Sequence, residues 1–331
     1  MVCNYNFEVS AKKLEILNLI LKSYRNNKIV AFQCESGSGK SNLIKEVIKE
    51  LKIYNKYECI YFNPLIENSS RKISMSLFDT IKKIATSQMS IKYDDYILNT
   101  KDFLNLKQFI NDEINKKQKQ YFIFIDEIDS LENKLIKYLL NLIKYNFNFD
   151  NITYILNYDE EVMQSILGKY FGKRGEYVSY IYLNKIIDIS FNIKIASKSE
   201  LVDYIEKEIK NIIEEKKLVL SEKELNKFKN IFKELYKEKI KTLRIANQYL
   251  YTIDMIDLRN KKNILNELIK EGVKIFYSKV YRNIDIKDDL IDEHSIRIAI
   301  EEFKNEGKVS SIEDRALLIE KTIESLLCER E

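Results

Sequence analysis

The segment CESGSGKSN, residues 34–42, combines small, flexible and charged residues in a pattern that can bind an anion. Gly37 and Gly39 allow backbone conformations in which successive N–H groups converge. Lys40 adds a positive charge, and the Ser41 hydroxyl is a hard oxygen ligand suited to Mg²⁺. The end of the segment fits the phosphate-binding pattern G-x-x-x-x-G-K-[ST]. We therefore predict that Lys40 reaches the β- and γ-phosphates of a nucleotide and that Ser41 contacts its Mg²⁺.

One position of this segment departs from the usual pattern, because Cys34 stands in place of the first glycine. Cysteine is small and would end the preceding strand, so we expect the substitution to reduce the flexibility of the loop without abolishing the site. The residues expected to contact the nucleotide are Ser36, Gly37, Ser38, Gly39, Lys40, Ser41 and Asn42. The alternative is a tight glycine turn between a strand and a helix.

Two adjacent carboxylates, Asp126 and Glu127, directly follow the apolar run YFIFI. A carboxylate at the carboxyl end of a buried strand can hold Mg²⁺ together with Ser41, and we assign this role to Asp126. Glu127 is placed to polarise an attacking water. Nucleotide binding needs only the first group, whereas hydrolysis needs both. The alternative is an acidic strand end that caps the next helix.

Three further side chains are candidates for a hydrolytic site. Asn157 ends a fourth apolar run and is expected to contact the γ-phosphate or the water, unless it only forms a turn. Arg244 could reach over a bound nucleotide from the second half of the chain, or be a solvated surface arginine. Arg174 lies in GKYFGKRGEY (168–177), which predicts an exposed, flexible segment. It could present this arginine to the nucleotide of a neighbouring subunit, or be a basic surface loop.

Short apolar runs alternate with helical spacing in the first half of the chain. The runs of strand length are KIVAFQC (28–34), YECIYFN (57–63), QYFIFID (120–126), NITYILNYD (151–159) and KIIDISFNI (185–193). Helical spacing occupies 42–51, 73–84 and 131–145. Strands that are buried on both faces and separated by helices form parallel sheets. We therefore predict an α/β fold, a P-loop NTPase parallel sheet flanked by helices.

Beyond residue 197 the strand signals largely stop, and amphipathic helices are predicted as far as Leu327. The candidate N-caps of the first two are Ser197 or Ser199 and Ser221. The sequence thus predicts a P-loop NTPase α/β domain over 1–195 and an all-helical C-terminal domain over 196–331.

The composition excludes several other classes of protein. The 331 residues are 45% apolar and 32% charged with a net charge of +4, which argues against a protein built mainly to coat nucleic acid. Four scattered cysteines and one histidine form no zinc-ligand cluster and indicate a reduced compartment. No signal peptide and no stretch of about 18 apolar residues is evident. We expect a cytoplasmic protein without membrane insertion.

The ordered motifs resemble the KAP family of P-loop NTPases, which is related to AAA+ and STAND-type ATPases. The family's phosphate loop typically reads G-x-W-G-S-G-K-S and its acidic motif D-D-L-D-R, where this chain has CESGSGKS and DEIDS. Ser36 replaces the tryptophan and Ser130 the arginine. Further similar segments are FNPL (62–65), YILNYDEEVM with Asp159, YLNKIIDISFNI (182–193) and IKEGVKIFYSKVYRNI (269–284).

This resemblance implies that the nucleotide is ATP and that Asp126 and Glu127 serve its hydrolysis. Family members often carry membrane-spanning segments inserted in the NTPase domain, which this chain lacks. Several members are linked to exclusion of phage or plasmids, so the resemblance makes anti-phage defence one candidate role.

Three functions remain open at this stage. The first is a Mg²⁺-dependent ATPase whose hydrolysis switches the helical domain or drives assembly of a homo-oligomer. The second is a weakly hydrolysing, nucleotide-gated scaffold for a partner effector protein. The third is a nucleic-acid ATPase resembling origin-binding or clamp-loading AAA+ proteins. The Lys-rich helices over 204–241 do not indicate the third, because their lysines interleave with glutamates as on a solvated face.

Overall fold

The computed structural model describes residues 10–25, 28–85, 101–260 and 264–277. These residues fall into two compact units, which divide between Ile195 and Ala196. The first unit contains a sheet with a hydrophobic core on each face, and the second unit has a core of its own.

The sheet of the first unit consists of five parallel strands in the spatial order β2-β3-β4-β1-β5. The strands are β1 Ile29–Gln33, β2 Tyr57–Phe62, β3 Gln120–Ile125, β4 Ile152–Tyr158 and β5 Ile189–Asn192. Because the strands are parallel, their carboxyl ends meet at one edge, where α/β proteins usually bind ligands. β4 lies between β1 and β3, so the residues that follow these three strands lie side by side at this edge.

In the described part of this unit, seven α-helices flank the sheet. They are α1 Ser10–Ser23, α2 Lys40–Leu51, α3 Ser70–Ala85, α4 Lys101–Lys116, α5 Asn133–Asn141, α6 Glu160–Phe171 and α7 Gly175–Ile186. The core on one face joins α1 and α2 to the sheet, and the core on the other face joins α3 to α7. The prediction of a parallel sheet flanked by helices is confirmed.

The strand β3 shows how one apolar run supplies both cores. Its side chains alternate between the two faces, as in any strand. Phe122 and Phe124 pack with α1 and α2, whereas Tyr121, Ile123 and Ile125 pack with α3 to α5. All five are 0% exposed. The uninterrupted apolar pattern is therefore that of a strand buried on both faces.

The described part of the second unit is helical. Its helices are α8 Lys198–Glu215, α9 Glu222–Tyr236, α10 Leu243–Met255 and α11 Ile264–Phe276. Ser197 and Ser221 cap α8 and α9, each in a reciprocal capping box with a glutamate three residues later. The alternative N-cap Ser199 is wrong, because it lies inside α8. The helices predicted between residue 277 and Leu327 lie outside the described residues.

Charge on the second unit is distributed as expected for a solvated face. Lys223, Lys227 and Lys233 are exposed on α9. Lys229 forms an ion pair with Glu206 of α8 at 2.6 Å. Among the helices that the structure describes, none has the length and apolar character needed to cross a bilayer.

The fifth strand is shorter than the predicted run 185–193. Helix α7 continues to Ile186, and the carboxylate of Asp188 then accepts hydrogen bonds from the N–H groups of Lys28 and Ile29 at 2.8 and 2.9 Å. These bonds fix the connection at the amino end of β1, so the chain enters the sheet at Ile189. The predicted run 185–193 therefore combined the last residues of α7 with the short strand β5.

The predicted surface loop over 168–177 is also wrong in its extent. Gly168 belongs to α6, Gly175 begins α7, and only three residues connect the two helices. A Cβ atom on Gly175 would lie 2.0 Å from the carbonyl oxygen of Gly168. The two glycines therefore allow the helices to touch through their backbones, while Lys173 and Arg174 are exposed in the turn.

Candidate nucleotide-binding site

The phosphate loop, residues 34–39, connects β1 to α2 at the carboxyl edge of the sheet. Gly37 and Gly39 have φ angles of 77° and 97°, in the left-handed region that favours glycine. Lys40, Ser41 and Asn42 follow as the first turn of α2. The N–H groups of such a turn and the helix dipole favour an anion, so the local backbone has the form expected for binding phosphate.

Cys34 extends the strand pairing beyond β1, because its N–H donates to the carbonyl of Tyr158 at 3.0 Å. Its side chain is buried, and burial raises the pKa of its thiol to about 12. The thiol is therefore neutral at physiological pH. A small, neutral side chain thus occupies the first-glycine position without adding charge to the loop.

Asp126 follows β3 and is 0% exposed. Its Oδ2 accepts a hydrogen bond from the Tyr61 hydroxyl at 2.8 Å. Its Oδ1 accepts from the Asn157 amide at 2.7 Å and from the Glu127 N–H at 3.0 Å. Three donors from β2, β4 and the segment after β3 therefore fix the orientation of this carboxylate, as a buried carboxylate requires.

Sequence reasoning missed Tyr61. This residue lies on β2, and its register partner on β3 is Phe124, two residues before Asp126. Burial, together with the hydrogen bond to Asp126, raises the pKa of Tyr61, so its hydroxyl remains a donor. The sequence shows only a tyrosine near the end of β2. Its contact with Asp126 can be predicted only once β2 is known to lie beside β3.

Glu127 has a left-handed backbone, with φ 59° and ψ 23°. Non-glycine residues in this region are uncommon and cluster at functional sites. Its Oε2 accepts a hydrogen bond from the Ser130 hydroxyl at 3.1 Å. Glu127 precedes the short 3₁₀ turn Ile128–Ser130 and makes no side-chain cap to it. The alternative of an acidic strand end that caps the next helix is therefore wrong for Glu127.

Two further carboxylates contact the phosphate loop and its lysine. The Lys40 amine lies 3.2 Å from Asp129 Oδ2, which also accepts the Asp159 N–H at 2.7 Å. Asp159 Oδ2 in turn accepts the Ser36 N–H at 2.6 Å. Asp159 Oδ1 accepts two N–H groups of the first turn of α6 and caps this helix. We call Asp129 and Asp159 the loop carboxylates. The sequence marked both aspartates only as motif matches.

The remaining candidates differ in their placement. Asn157 lies within β4, is 1% exposed and binds Asp126, so the interpretation as a turn-forming asparagine is wrong. Arg174 is exposed at the start of α7, with a left-handed φ of 59°. Arg244 is exposed on α10, in the second unit. Neither arginine takes part in the contacts described above.

Two family models match the chain. The first, described as KAP family P-loop domain, matches residues 94–268, which is more than half of the chain. The second, described as an ATPase domain predominantly from Archaea, matches residues 11–165 and includes the phosphate loop. No curated protein sequence matches the chain.

The chain is also similar to several solved structures. Drosophila ORC bound to DNA is 14% identical with a TM-score of 0.50, over 93% of this chain and 76% of that chain. Cdc6p from Pyrobaculum aerophilum is 13% identical with a TM-score of 0.47, over 98% and 88%. The Aeropyrum pernix ORC1 protein in complex with DNA is 12% identical with a TM-score of 0.45, over 98% and 85%. At such identities the likeness to the Drosophila structure concerns the fold alone.

Proposed function

The chain belongs to the KAP family of P-loop domains, and from this premise we propose that it binds ATP with Mg²⁺ and hydrolyses the ATP. The observation that carries the proposal is the arrangement at one sheet edge. A glycine loop leading into α2 lies in the same unit as a buried carboxylate, Asp126, whose orientation is fixed by three donors. Simple binding needs the loop, whereas hydrolysis also needs the adjacent Glu127.

The residues around Asp126 suit Mg²⁺ that arrives with the nucleotide. Among the described residues, no group of three or more His, Cys, Asp or Glu side chains is placed to hold a metal ion. Mg²⁺ is usually bound through one or two carboxylates and the phosphates of a substrate, so this donor set fits. Asp126 and Ser41 would hold the ion, which neutralises charge on the phosphoryl oxygens.

The other side chains have distinct roles in this proposal. The loop N–H groups and the first turn of α2 bind phosphate, and Lys40 reaches the β- and γ-phosphates. Asn157 positions Asp126 through its amide. Glu127 orients and polarises the attacking water. The Ser130 hydroxyl donates to the Glu127 carboxylate and so holds it next to the 3₁₀ turn.

The test measures release of phosphate from ATP, in the presence of Mg²⁺, by the full chain and by its single-residue variants. We expect Lys40→Ala to lose nucleotide binding, and Glu127→Gln to bind ATP but not to turn it over. Glu132→Gln makes the same change at an exposed glutamate nearby and should behave like the parent chain. Normal turnover by Glu127→Gln would contradict the role of Glu127. ATP binding without turnover by both the parent chain and Glu127→Gln would instead identify a nucleotide-gated scaffold for a partner protein.

We extend the proposal to coupling between nucleotide state and assembly. The exposure of Arg174 in the turn before α7 supports its presentation to the nucleotide of a neighbouring subunit. Turnover per subunit should then rise with protein concentration. A role in anti-phage defence is proposed from the family resemblance, and phage plating on cells that carry the parent chain or its Lys40→Ala variant tests it.

A further inference from the structure

The loop carboxylates Asp129 and Asp159 contact the same groups that the proposed function assigns to phosphate. Lys40 is expected to reach the β- and γ-phosphates, yet its amine is paired with Asp129 at 3.2 Å. Ser36 belongs to the loop expected to surround the phosphates, yet its N–H donates to Asp159 at 2.6 Å. The side chains of Lys40 and Asp129 are 11% and 8% exposed, so little water screens their attraction.

The charge of the site works against an anion. In the contacts described above Lys40 is the one cation, whereas three carboxylates take part. Asp129 pairs with Lys40, Asp159 accepts the N–H of the loop residue Ser36, and Asp126 follows β3 at the same edge of the sheet. A nucleotide brings several more negative charges to the same place. Like charges a few ångströms apart in a partly buried site repel strongly, because the effective dielectric constant is well below that of water. A phosphate group therefore has to displace a carboxylate or share a donor with it.

We propose that Asp129 and Asp159 are positioning residues that compete with the terminal phosphates of the nucleotide for Lys40 and for the phosphate loop. The inference rests on the proposed nucleotide site. Exchange of Lys40 from Asp129 to the phosphates is then a step in binding, and the two carboxylates set the affinity for ATP. Mg²⁺ offsets part of the repulsion by adding positive charge, so the competition is strongest when the metal is chelated.

A purely structural role for the loop carboxylates predicts a different effect on nucleotide affinity. If the two carboxylates only satisfied loop N–H groups and held the fold, removing their charge would lower stability and leave nucleotide affinity unchanged or weaker. Competition instead raises the affinity once a competing charge is removed. The gain should be larger for ATP than for ADP, because the third phosphate adds charge and is a partner expected for Lys40.

Asparagine is the suitable replacement at both positions. Asp159 caps α6, and asparagine caps helices as well as aspartate does. At residue 129 an asparagine oxygen can still accept the N–H of residue 159. The charge is thus removed. At residue 159 the asparagine oxygen can keep the helix cap, whereas its amide nitrogen cannot accept the Ser36 N–H, which loses its acceptor. Glu161→Gln is the matched control, because its exposed side chain lies in the same first turn of α6.

The experiment is calorimetric titration of the full chain with ATP and with ADP, in a chelator and in Mg²⁺. We expect Asp129→Asn and Asp159→Asn each to bind ATP without metal about tenfold more tightly than the parent chain. The gain for ADP should be smaller, and Glu161→Gln should match the parent. Melting temperatures measured in parallel show which variants are folded, and either folded variant suffices for the test.

The outcomes separate this inference from the proposed function. A parent chain that binds ATP in Mg²⁺, with folded asparagine variants that bind ATP no more tightly in chelator, would overturn the competition while leaving the site intact. A parent chain that binds neither nucleotide under either condition would overturn both. Equal gains for ATP and ADP would contradict the assignment of Lys40 to the γ-phosphate.

Discussion

Replacing Tyr61 by phenylalanine removes one of the three donors that hold the Asp126 carboxylate. The lost bond is 2.8 Å long, and its acceptor is 0% exposed. A hydrogen bond to a charged group contributes about 1.5–3 kcal/mol to the free energy of unfolding. Tyr61 itself is 38% exposed, so water can replace part of the bond. We therefore expect a loss of about 1.5 kcal/mol, which lowers the melting temperature by roughly 3–6 °C.

Thermal unfolding measures this loss, and Tyr177→Phe is the control. Tyr177 is 65% exposed, so removing its hydroxyl should change stability by less than about 0.5 kcal/mol. The same Tyr61→Phe change is then made in an Asp126→Ala background. Its cost should fall towards zero there, because the partner of the hydroxyl has been removed. An equal cost with and without the Asp126 carboxylate would refute the reasoning.

Four further results are expected. Gly175→Ala should lower the free energy of unfolding in urea by about 2 kcal/mol, because the new Cβ would lie 2.0 Å from a backbone oxygen of α6. Burial raises the pKa of Tyr158 to about 12, so its neutral form is favoured in the folded state. The stability that it contributes is present below its usual pKa of about 10 and is lost as the pH rises towards 12, which urea unfolding across that interval measures. Cys34, whose thiol has a raised pKa, should resist alkylation at neutral pH until the protein is denatured, as mass spectrometry can record. Arg174→Ala should lower ATP turnover at high protein concentration and leave it unchanged at high dilution, with Lys173→Ala as the control.

Each of these results has a clear contrary outcome. An unchanged urea midpoint for Gly175→Ala would contradict the backbone contact between α6 and α7. Constant stability between pH 10 and about 12 would contradict the burial of Tyr158 as the cause of its raised pKa. Rapid labelling of Cys34 in the folded protein would mean that the thiol is accessible. A loss of turnover at every concentration would place Arg174 in its own subunit's site.

Local patterns were sufficient to predict much of the fold. The apolar runs located the strands to within a residue or two, except for β5. Ser221, with a glutamate three residues later, located the start of α9, and the start of α8 was predicted at Ser197 or Ser199, of which Ser197 is the cap. These signals are carried by neighbours in the sequence, which are also neighbours in space. For the same reason the phosphate loop could be recognised from Gly37, Gly39 and Lys40 as a consecutive series.

The contacts of the site could not be predicted in this way, because they depend on the order of the strands. Tyr61 meets Asp126 since β2 lies beside β3, and Asn157 meets it since β4 lies on the other side. The pairing of Lys40 with Asp129 joins residues 89 positions apart. Nothing in the local pattern indicates that Gly168 and Gly175 face one another across a helix crossing rather than lie in a loop.

The alternation of β3 side chains between the two faces of the sheet limits where residues can be inserted or deleted. Phe122 and Phe124 fill one core, their neighbours fill the other, and Asp126 continues the same alternation at the end of the strand. Deleting or inserting one residue would turn every later side chain to the opposite face and turn the carboxylate away from Tyr61 and Asn157. A change of length within β3 would thus disrupt both cores and the site together, whereas a substitution affects one position. Insertions and deletions among relatives should therefore be confined to the connections between elements.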